Sequence, residues 1–125
     1  MGKIFYLIGK SACGKDSIFP RLLKECPKLK TYVMYTTRPM RDGEKQGDPY
    51  YFVGPDTLEK YRSCGRLVES RTYNTTKGPW IYATVDDGQI DLNSCSYLVS
   101  GGTLASYMGV RDHFGADKVV PVYIE

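Results

Sequence analysis

Apolar runs separated by turn residues divide the chain into alternating strands and helices. The segment 3–8, KIFYLI, is almost wholly apolar, as is typical of a strand buried on both faces of a parallel sheet. A helix is expected from Lys15 to Glu25, and Pro20 inside it predicts a kink or a short helix. The remaining pattern predicts helices between Gly54 and Gly65 and over 103–115, strands at 31–35, 50–53, 66–73, 80–85, 96–100 and 118–124, and a flexible loop at 74–79.

The order of these elements predicts an α/β fold with a parallel sheet core and a strand-rich insert. We expect the core to comprise 1–33 and 94–125 and the insert to comprise 34–93. An open α/β sheet usually has a covering helix after such a strand, and only Glu125 follows the strand predicted at 118–124. The sequence is therefore expected to be a fragment.

Composition and charge narrow the class of partner. The 125 residues carry a net charge of +3, which suits anionic small molecules and is too small to indicate nucleic acid or membrane binding. The four cysteines have no metal-ligand spacing, and the apolar run at the N-terminus is too short for a signal peptide or membrane span. A cytoplasmic protein with reduced thiols is expected, and the oligomeric state is left open.

A glycine-rich turn joins the first strand to the first helix. The spacing of Gly9, Gly14 and Lys15 fits G-x-x-x-x-G-K, in which backbone N–H groups and a lysine hold phosphates at a helix N-terminus. The alternative is an ordinary strand-to-helix turn. The predicted nucleotide-phosphate loop comprises Gly9, Lys10, Ser11, Ala12, Cys13, Gly14, Lys15, Asp16 and Ser17.

Asp16 occupies the position at which this loop normally has Ser or Thr. One interpretation makes its carboxylate a ligand of Mg²⁺, which would relieve a repulsion of about 3 kcal/mol between two charges roughly 5 Å apart. In the other, Asp16 stabilises the first turn of the helix and Ser17 supplies the hydroxyl. The sequence does not decide between them.

A second anion site is indicated by the charged loop at 38–49. Arg38 and Arg41 lie three residues apart in this loop, and Tyr50 and Tyr51 follow it. Two guanidinium groups can grip one phosphate, and tyrosine hydroxyls can add donors. The alternative is a pair of solvated surface arginines.

The segment Thr36–Val53 follows the pattern TTRP.R.GE..G..Y.FV and resembles the GMP-binding signature of the guanylate kinase family. The phosphate loop lies at the matching distance upstream, and RLVES places Glu69 where that family has a guanine-recognising glutamate. The resemblance covers nearly the whole chain. It implies a core of the P-loop NTPase type with an inserted GMP-binding subdomain, and transfer of a phosphoryl group from ATP to GMP with Mg²⁺.

The resemblance also implies roles for individual residues. Lys15, Arg38 and Arg41 match catalytic positions, and Asp16 is the expected metal ligand. The GMP-binding positions are matched by Arg38, Arg41, Tyr50 and Glu69, and more loosely by Tyr82 and Thr84.

The chain departs from the family pattern at several positions. Met34 replaces a GMP-contacting serine, and the strand that carries aspartates in the family reads YLVSGG at 97–102. Asp16, Asp86 and Asp87 are the candidates to compensate for those aspartates. The alternatives are a non-catalytic guanylate-kinase-like interaction module and a kinase for another nucleoside monophosphate. The intact glycines and lysine of the phosphate loop favour an enzyme.

Overall fold

The structure, a computed structural model, describes residues 2–8 and 15–123, without the side chains of 15–17 and 100–102. The predicted phosphate-loop residues 9–14 and the side chains of Lys15, Asp16 and Ser17 therefore lie outside the described part. The elements in chain order are β1 Ile4–Ile8, α1 Lys15–Glu25, β2 Leu29–Lys30, β3 Met34–Thr36, β4 Tyr50–Phe52, α2 Pro55–Ser63, β5 Leu67–Thr75, β6 Gly78–Val85, β7 Ser96–Gly102, α3 Leu104–Phe114 and β8 Val119–Tyr123.

The chain forms two compact units. One comprises Met1–Tyr32 with Gly88–Glu125, and the other comprises Val33–Asp87. Residues 88–93, which the sequence analysis assigned to the insert, group with the first unit. The binding roles expected of the core and the insert stay predictions.

The first unit is built on a parallel sheet with the strand order β2-β7-β1-β8. β1 pairs with a strand on each side, and Ile4 and Leu7 are fully buried, as the apolar run predicted. Helices α1 and α3 both contact this sheet. The expected α/β core is therefore present.

Most helix limits follow the predicted signals. In α3 the Thr103 side chain accepts a hydrogen bond from the Ser106 N–H at 3.1 Å, and Gly115 ends the helix with φ 111°. In α2 Pro55 occupies the first position, and Gly65 follows the end with φ 79°. α1 has the predicted bounds, Lys15–Glu25, and continues through Pro20, so of the two expected alternatives, a kink or a short helix, the short helix is wrong.

The second unit contains a four-stranded sheet with the order β4-β3-β6-β5. β3 and β4 are parallel, and the β3–β6 and β6–β5 pairs are antiparallel. One face packs against α2 in a core of Tyr35, Leu58, Ala83 and Val85, with Tyr51, Val53, Tyr61, Leu67 and Ile81 around it. The opposite face is left for polar side chains.

Two strand predictions need correction. The strand predicted at 31–35 is Met34–Thr36, preceded by the separate short strand β2. The flexible loop expected at 74–79 is mostly strand, because Thr75 and Gly78 pair across a two-residue turn. The Thr75 hydroxyl donates to the Gly78 carbonyl at 2.6 Å, and Gly78 has φ 110°. Local hydrogen bonds thus make a hairpin end from residues that read as a loop.

No helix in the described part of the chain is long and apolar enough to cross a membrane. Among the described residues, Cys26, Cys64 and Cys95 form no disulfide bond.

Candidate functional site

The side of the second sheet away from α2 carries most of the predicted GMP-binding residues. Strand register places Met34 beside Tyr50, Thr36 beside Tyr82, and Glu69 beside Thr84. The Tyr50 and Tyr82 rings meet edge to face at 5.5 Å between centroids. We define the polar face as Met34, Tyr50, Phe52, Glu69, Arg71, Tyr82 and Thr84.

An irregularity in β5 puts Glu69 on the polar face. Leu67 lies opposite Val85 and Glu69 lies opposite Thr84, so two steps along β5 match one step along β6. In a regular strand residues two apart share a face, and Glu69 would then lie with Leu67 on the α2 side. The β-bulge at Val68 separates them, leaving Leu67 in the core and Glu69 among polar neighbours.

Glu69 is a buried carboxylate with unused acceptor capacity. Its side chain is 5% exposed, and Arg71 Nε lies 3.3 Å from its Oε1 atom. The two groups form an ion pair without hydrogen-bond geometry, and neither Glu69 oxygen accepts a hydrogen bond from any described residue. A buried carboxylate without hydrogen bonds is costly. It is therefore suited to accept donors from a ligand.

Arg71 is a residue of the polar face that the sequence analysis did not single out. It lies two residues after Glu69 on β5, and its Nη2 atom lies 3.8 Å from the sulfur of Met34 on β3. Its side chain is 17% exposed. The two-residue spacing from Glu69 was the signal available, because it puts both side chains on one face of a regular strand segment.

Arg38 enters the polar face from the end of β3. Thr36 holds the backbone here, since its hydroxyl donates to the Ile81 carbonyl at 2.9 Å and accepts from the Arg38 N–H at 3.1 Å. Arg38 is 4% exposed, and its guanidinium carbon lies 5.6 Å from the Tyr50 ring centroid and 5.3 Å from the Phe52 centroid. These contacts place its positive charge over two aromatic faces.

Part of the Arg38 guanidinium is committed to Glu44. Nη1 and Nη2 donate to the two carboxylate oxygens of Glu44 at 3.1 and 2.9 Å, and Nη1 also donates to the Pro39 carbonyl at 3.2 Å. These hydrogen bonds to Glu44 raise the pKa of Arg38 above its ordinary value. The Arg38 guanidinium also interacts with the Tyr82 side chain, and its Nε–H and the second N–H of Nη2 are not used in the bonds to Glu44 and Pro39.

Glu44 is a second residue whose role the sequence analysis missed, although it lies in the quoted motif. Besides holding Arg38, its Oε1 accepts from the Arg41 N–H at 2.7 Å. The Arg38 side chain and the Arg41 N–H hold the pKa of Glu44 below its ordinary value. The Gln46 side chain bonds Phe52 through its oxygen at 2.8 Å and its nitrogen at 2.9 Å. The loop is therefore tied at both ends by its own side chains.

Arg41 is brought to the site through its backbone. Its side chain is exposed and makes no hydrogen bond or ion pair with the residues that the structure describes. The predicted role of this guanidinium on the same phosphate as Arg38 stays a prediction.

Two tyrosines of the polar face lie beside Arg38. Burial raises the pKa of the Tyr50 hydroxyl, and Tyr82 adds to this effect, while the charges of Arg38 and Arg71 oppose it. Tyr82 also packs edge to face against Tyr73, at 5.6 Å between centroids. The Tyr50 hydroxyl therefore remains a protonated donor near neutral pH. Thr84 is 1% exposed between Glu69 and these rings.

Asp87, a candidate to replace the aspartates missing at 97–102, bonds on the α2 side of the sheet. Its carboxylate accepts a hydrogen bond from the Tyr35 hydroxyl. Burial and this hydrogen bond raise the pKa of Tyr35. The residues described contain no group of three or more His, Cys, Asp or Glu that could hold a metal ion.

Comparison with known proteins identifies the same family as the motifs. The guanylate kinase family model matches residues 1–87. The guanylate kinase of Nostoc sp. (strain PCC 7120 / SAG 25.82 / UTEX 2576) is 39% identical over 72 residues, which make up 58% of this chain and 36% of that protein. The guanylate kinase of Thiobacillus denitrificans (strain ATCC 25259 / T1) is 35% identical over 82 residues, and the match covers 62% of this chain and 39% of that protein.

A solved structure extends the likeness to the fold. The crystal structure of guanylate kinase from Anaplasma phagocytophilum matches with a TM-score of 0.69 and 22% identity, over 98% of this chain and 58% of that chain. This likeness confirms the expected α/β fold with a parallel sheet core. The chain spans well under half the length of the two curated relatives. Because the family model matches 87 of its 125 residues, the chain belongs to the guanylate kinase family.

Proposed function

We propose that the chain provides the phosphate loop and the GMP-binding subdomain of a phosphotransferase that converts ATP and GMP to ADP and GDP. The observation that carries this proposal is the polar face. It groups Arg38 and Tyr50 at one end and the buried carboxylate of Glu69 at the other. A nucleoside monophosphate has a matching polarity, with an anionic phosphate at one end and a hydrogen-bonding base at the other.

Arg38 and Tyr50 are proposed to hold the GMP phosphate. The Nε–H and the second Nη2 N–H of Arg38, which do not bond Glu44, can donate two parallel hydrogen bonds to phosphate oxygens while Glu44 keeps the rest of the guanidinium in place. The protonated Tyr50 hydroxyl is a further donor. Arg41 has an exposed guanidinium close in sequence, and we propose that it completes this phosphate site.

Glu69 is proposed to select guanine. Guanine presents N1–H and its 2-amino group as adjacent donors, and adenine has no such pair. The two oxygens of Glu69 are buried and accept no hydrogen bond from any residue that the structure describes, so they can accept both donors. Tyr82 and Thr84 line the same face beside Glu69.

The ATP side of the proposal rests on the sequence. Residues 9–17 are proposed to hold the ATP phosphates, with Lys15 as the cation and Asp16 as a ligand of Mg²⁺. Mg²⁺, when bound, would neutralise phosphate charge. Phosphoryl transfer depends mainly on positioning and charge stabilisation, so Lys15, Arg38 and Arg41 are proposed to act as fixed cations. A cytoplasmic location stays a prediction from the sequence.

The proposal is tested by titrating the 125-residue chain with GMP, AMP and UMP in a calorimeter. We expect GMP to bind at least tenfold more tightly than the other two. Glu69→Gln should lower the affinity for GMP about 10- to 150-fold, because hydrogen bonds to charged groups contribute about 1.5–3 kcal/mol. The amide nitrogen of the glutamine, itself a donor, would also face one of the guanine donors.

Glu59→Gln is the matched control, because Glu59 lies in an exposed ion pair with Arg62 on α2. It should bind GMP as wild type does. Equal binding of AMP or UMP, or no nucleotide binding at all, would refute the proposed function, and the second result would favour a non-catalytic interaction module.

A further inference from the structure

Arg71 lies next to Glu69, on the side toward which a base bound by Glu69 would extend over the sheet. Its Nε atom is 3.3 Å from one carboxylate oxygen of Glu69, and its Nη2 atom is 3.8 Å from the Met34 sulfur on β3. The guanidinium thus runs from the carboxylate toward the middle strands of the sheet. Its charge also reaches Tyr50, whose ionised form it favours.

The edge of guanine continues past the donors that Glu69 would accept. After the 2-amino group and N1–H come O6 and N7, which are both hydrogen-bond acceptors. Arginine paired with O6 and N7 is the commonest specific contact that proteins make to guanine, because the spacing of its N–H donors matches these two atoms. A carboxylate followed by a guanidinium therefore complements the whole edge.

We propose that Arg71 is a second base-reading residue, which donates to O6 and N7 of guanine while Glu69 accepts from N1–H and the 2-amino group. The inference rests on the proposed function, since it concerns the same GMP site. It assigns guanine selectivity to a pair of residues on β5 rather than to Glu69 alone.

Arg71 is better suited to this task than Arg38. Two N–H groups of Arg38 are held by the carboxylate of Glu44, and its remaining donors are the ones proposed to hold the phosphate. The Nη2 atom of Arg71 lies 3.8 Å from the Met34 sulfur, which is a weak acceptor, and the carbonyl oxygen of a base is a stronger one. Adenine would place its 6-amino donors against the donors of Arg71, which disfavours AMP.

A purely structural role must be separated from base reading, because Arg71 also neutralises the buried charge of Glu69. Analogues of GMP make this separation. 7-Deaza-GMP replaces N7 with C–H, and 6-thio-GMP replaces O6 with sulfur, while both keep the donors read by Glu69. IMP lacks only the 2-amino group, so it reports on Glu69 and not on Arg71.

We expect wild type to bind 7-deaza-GMP and 6-thio-GMP about 3- to 10-fold more weakly than GMP in calorimetric titrations. Arg71→Met should lose about 5- to 150-fold in GMP affinity, the range for one bidentate pair of about 1–3 kcal/mol. In this variant GMP and 7-deaza-GMP should bind equally within twofold, whereas the weaker binding of IMP should persist. Arg66→Met, a control at an exposed arginine before β5, should keep the wild-type ratios.

The outcomes separate the inference from the proposed function. If wild type does not bind GMP, the proposed function fails. If wild type prefers GMP over IMP but binds 7-deaza-GMP and 6-thio-GMP as tightly as GMP, only the role of Arg71 is overturned, and this comparison needs no variant that must fold. A preference for GMP over 7-deaza-GMP that survives in Arg71→Met also overturns it.

Discussion

Two arginine–carboxylate pairs on the second sheet differ in how completely their hydrogen bonds are satisfied. Arg38 and Glu44 form two direct hydrogen bonds, and the Arg41 N–H adds a third to Glu44. Arg71 and Glu69 form an ion pair without a hydrogen bond between them. Glu69 is more buried than Glu44. The first pair organises a loop, and the second keeps acceptors available, which is the division that a binding site needs.

The pair of Arg38 and Glu44 predicts a pH dependence of stability. The Arg38 hydrogen bonds, followed by the Arg41 N–H, hold the pKa of Glu44 below its ordinary value in the folded state. A lowered carboxylate pKa stabilises the fold above the unfolded-state pKa, and this stabilisation is lost as the pH falls through the folded-state pKa. Glu44→Gln should therefore be less stable than wild type at pH 6, and the difference should shrink toward pH 3.

Urea unfolding at a series of pH values measures this difference directly. The comparison between variants removes contributions from other acids such as Asp91, whose pKa the Ser94 hydroxyl lowers. Glu59→Gln, which removes an exposed carboxylate, should keep the wild-type profile. A gap between wild type and Glu44→Gln that stays constant from pH 6 to pH 3 would show that the ionised Glu44 does not stabilise the loop.

Motif spacing could identify Arg38, Tyr50 and Glu69 as site candidates, and the structure places these three on one face. It could not identify Glu44 as the partner of Arg38, because a carboxylate in a charged, turn-rich loop is indistinguishable from a solvated one. Arg71 was missed for another reason. Its importance depends on the reach of its side chain across β6 to Met34, which is a tertiary contact.

At the scale of elements, local signals set the helices and pairing sets the strands. Gly54, Pro55 and Gly115 marked helix limits that the structure confirms. The hairpin of β5 and β6 was predicted too short, because polar residues near its turn owe their strand conformation to the facing strand. The bulge at Val68 is likewise a property of the pair of strands, and no composition rule reveals it.

Helix α2 is predicted to be the main support of the polar face from behind. Leu58 is 4% exposed in the core between α2 and the sheet, whereas Leu104 on α3 is 52% exposed. Leu58→Ala should lower the free energy of unfolding by about 2–5 kcal/mol, because it removes buried contacts and leaves a cavity. The same substitution at Leu104 should change it by less than about 0.5 kcal/mol.

Urea unfolding of the two variants beside wild type measures both effects, and the identical chemical change in two helices makes Leu104→Ala the control. Equal destabilisation by the two substitutions would show that Leu58 does not anchor α2 to the sheet.

At the scale of the molecule, the alternation of apolar strands and helices was enough to predict an α/β core with an insert. A parallel strand buried on both faces leaves an apolar run, and β1 shows one in IFYLI. The C-terminal boundary of the insert was harder to predict from the sequence. Residues 88–93 contain turn residues and charges that suit either unit, so their membership depends on contacts rather than on local pattern.

The two predicted sites fall in different units of the chain. The phosphate loop proposed at 9–17 belongs to the segment Met1–Tyr32, and the polar face belongs to Val33–Asp87. Each site draws its residues from one unit, so we expect substitutions to affect the two ligands separately. Lys15→Met should lower the affinity for ATP about tenfold or more, because it removes a charged hydrogen-bond donor to the phosphates. The affinity for GMP should stay within about twofold of the wild-type value. Glu69→Gln should do the reverse.

Calorimetric titration of each variant with ATP in excess Mg²⁺, and separately with GMP, measures the four affinities. Chelation of Mg²⁺ is an independent test. It should lower the affinity for ATP in both variants and leave the affinity for GMP unchanged, because the expected metal ligand Asp16 lies in the phosphate loop. If Glu69→Gln weakened ATP as much as GMP, both nucleotides would share the polar face. The phosphate loop would then not form a site of its own, and assigning donor and acceptor to separate units would be wrong.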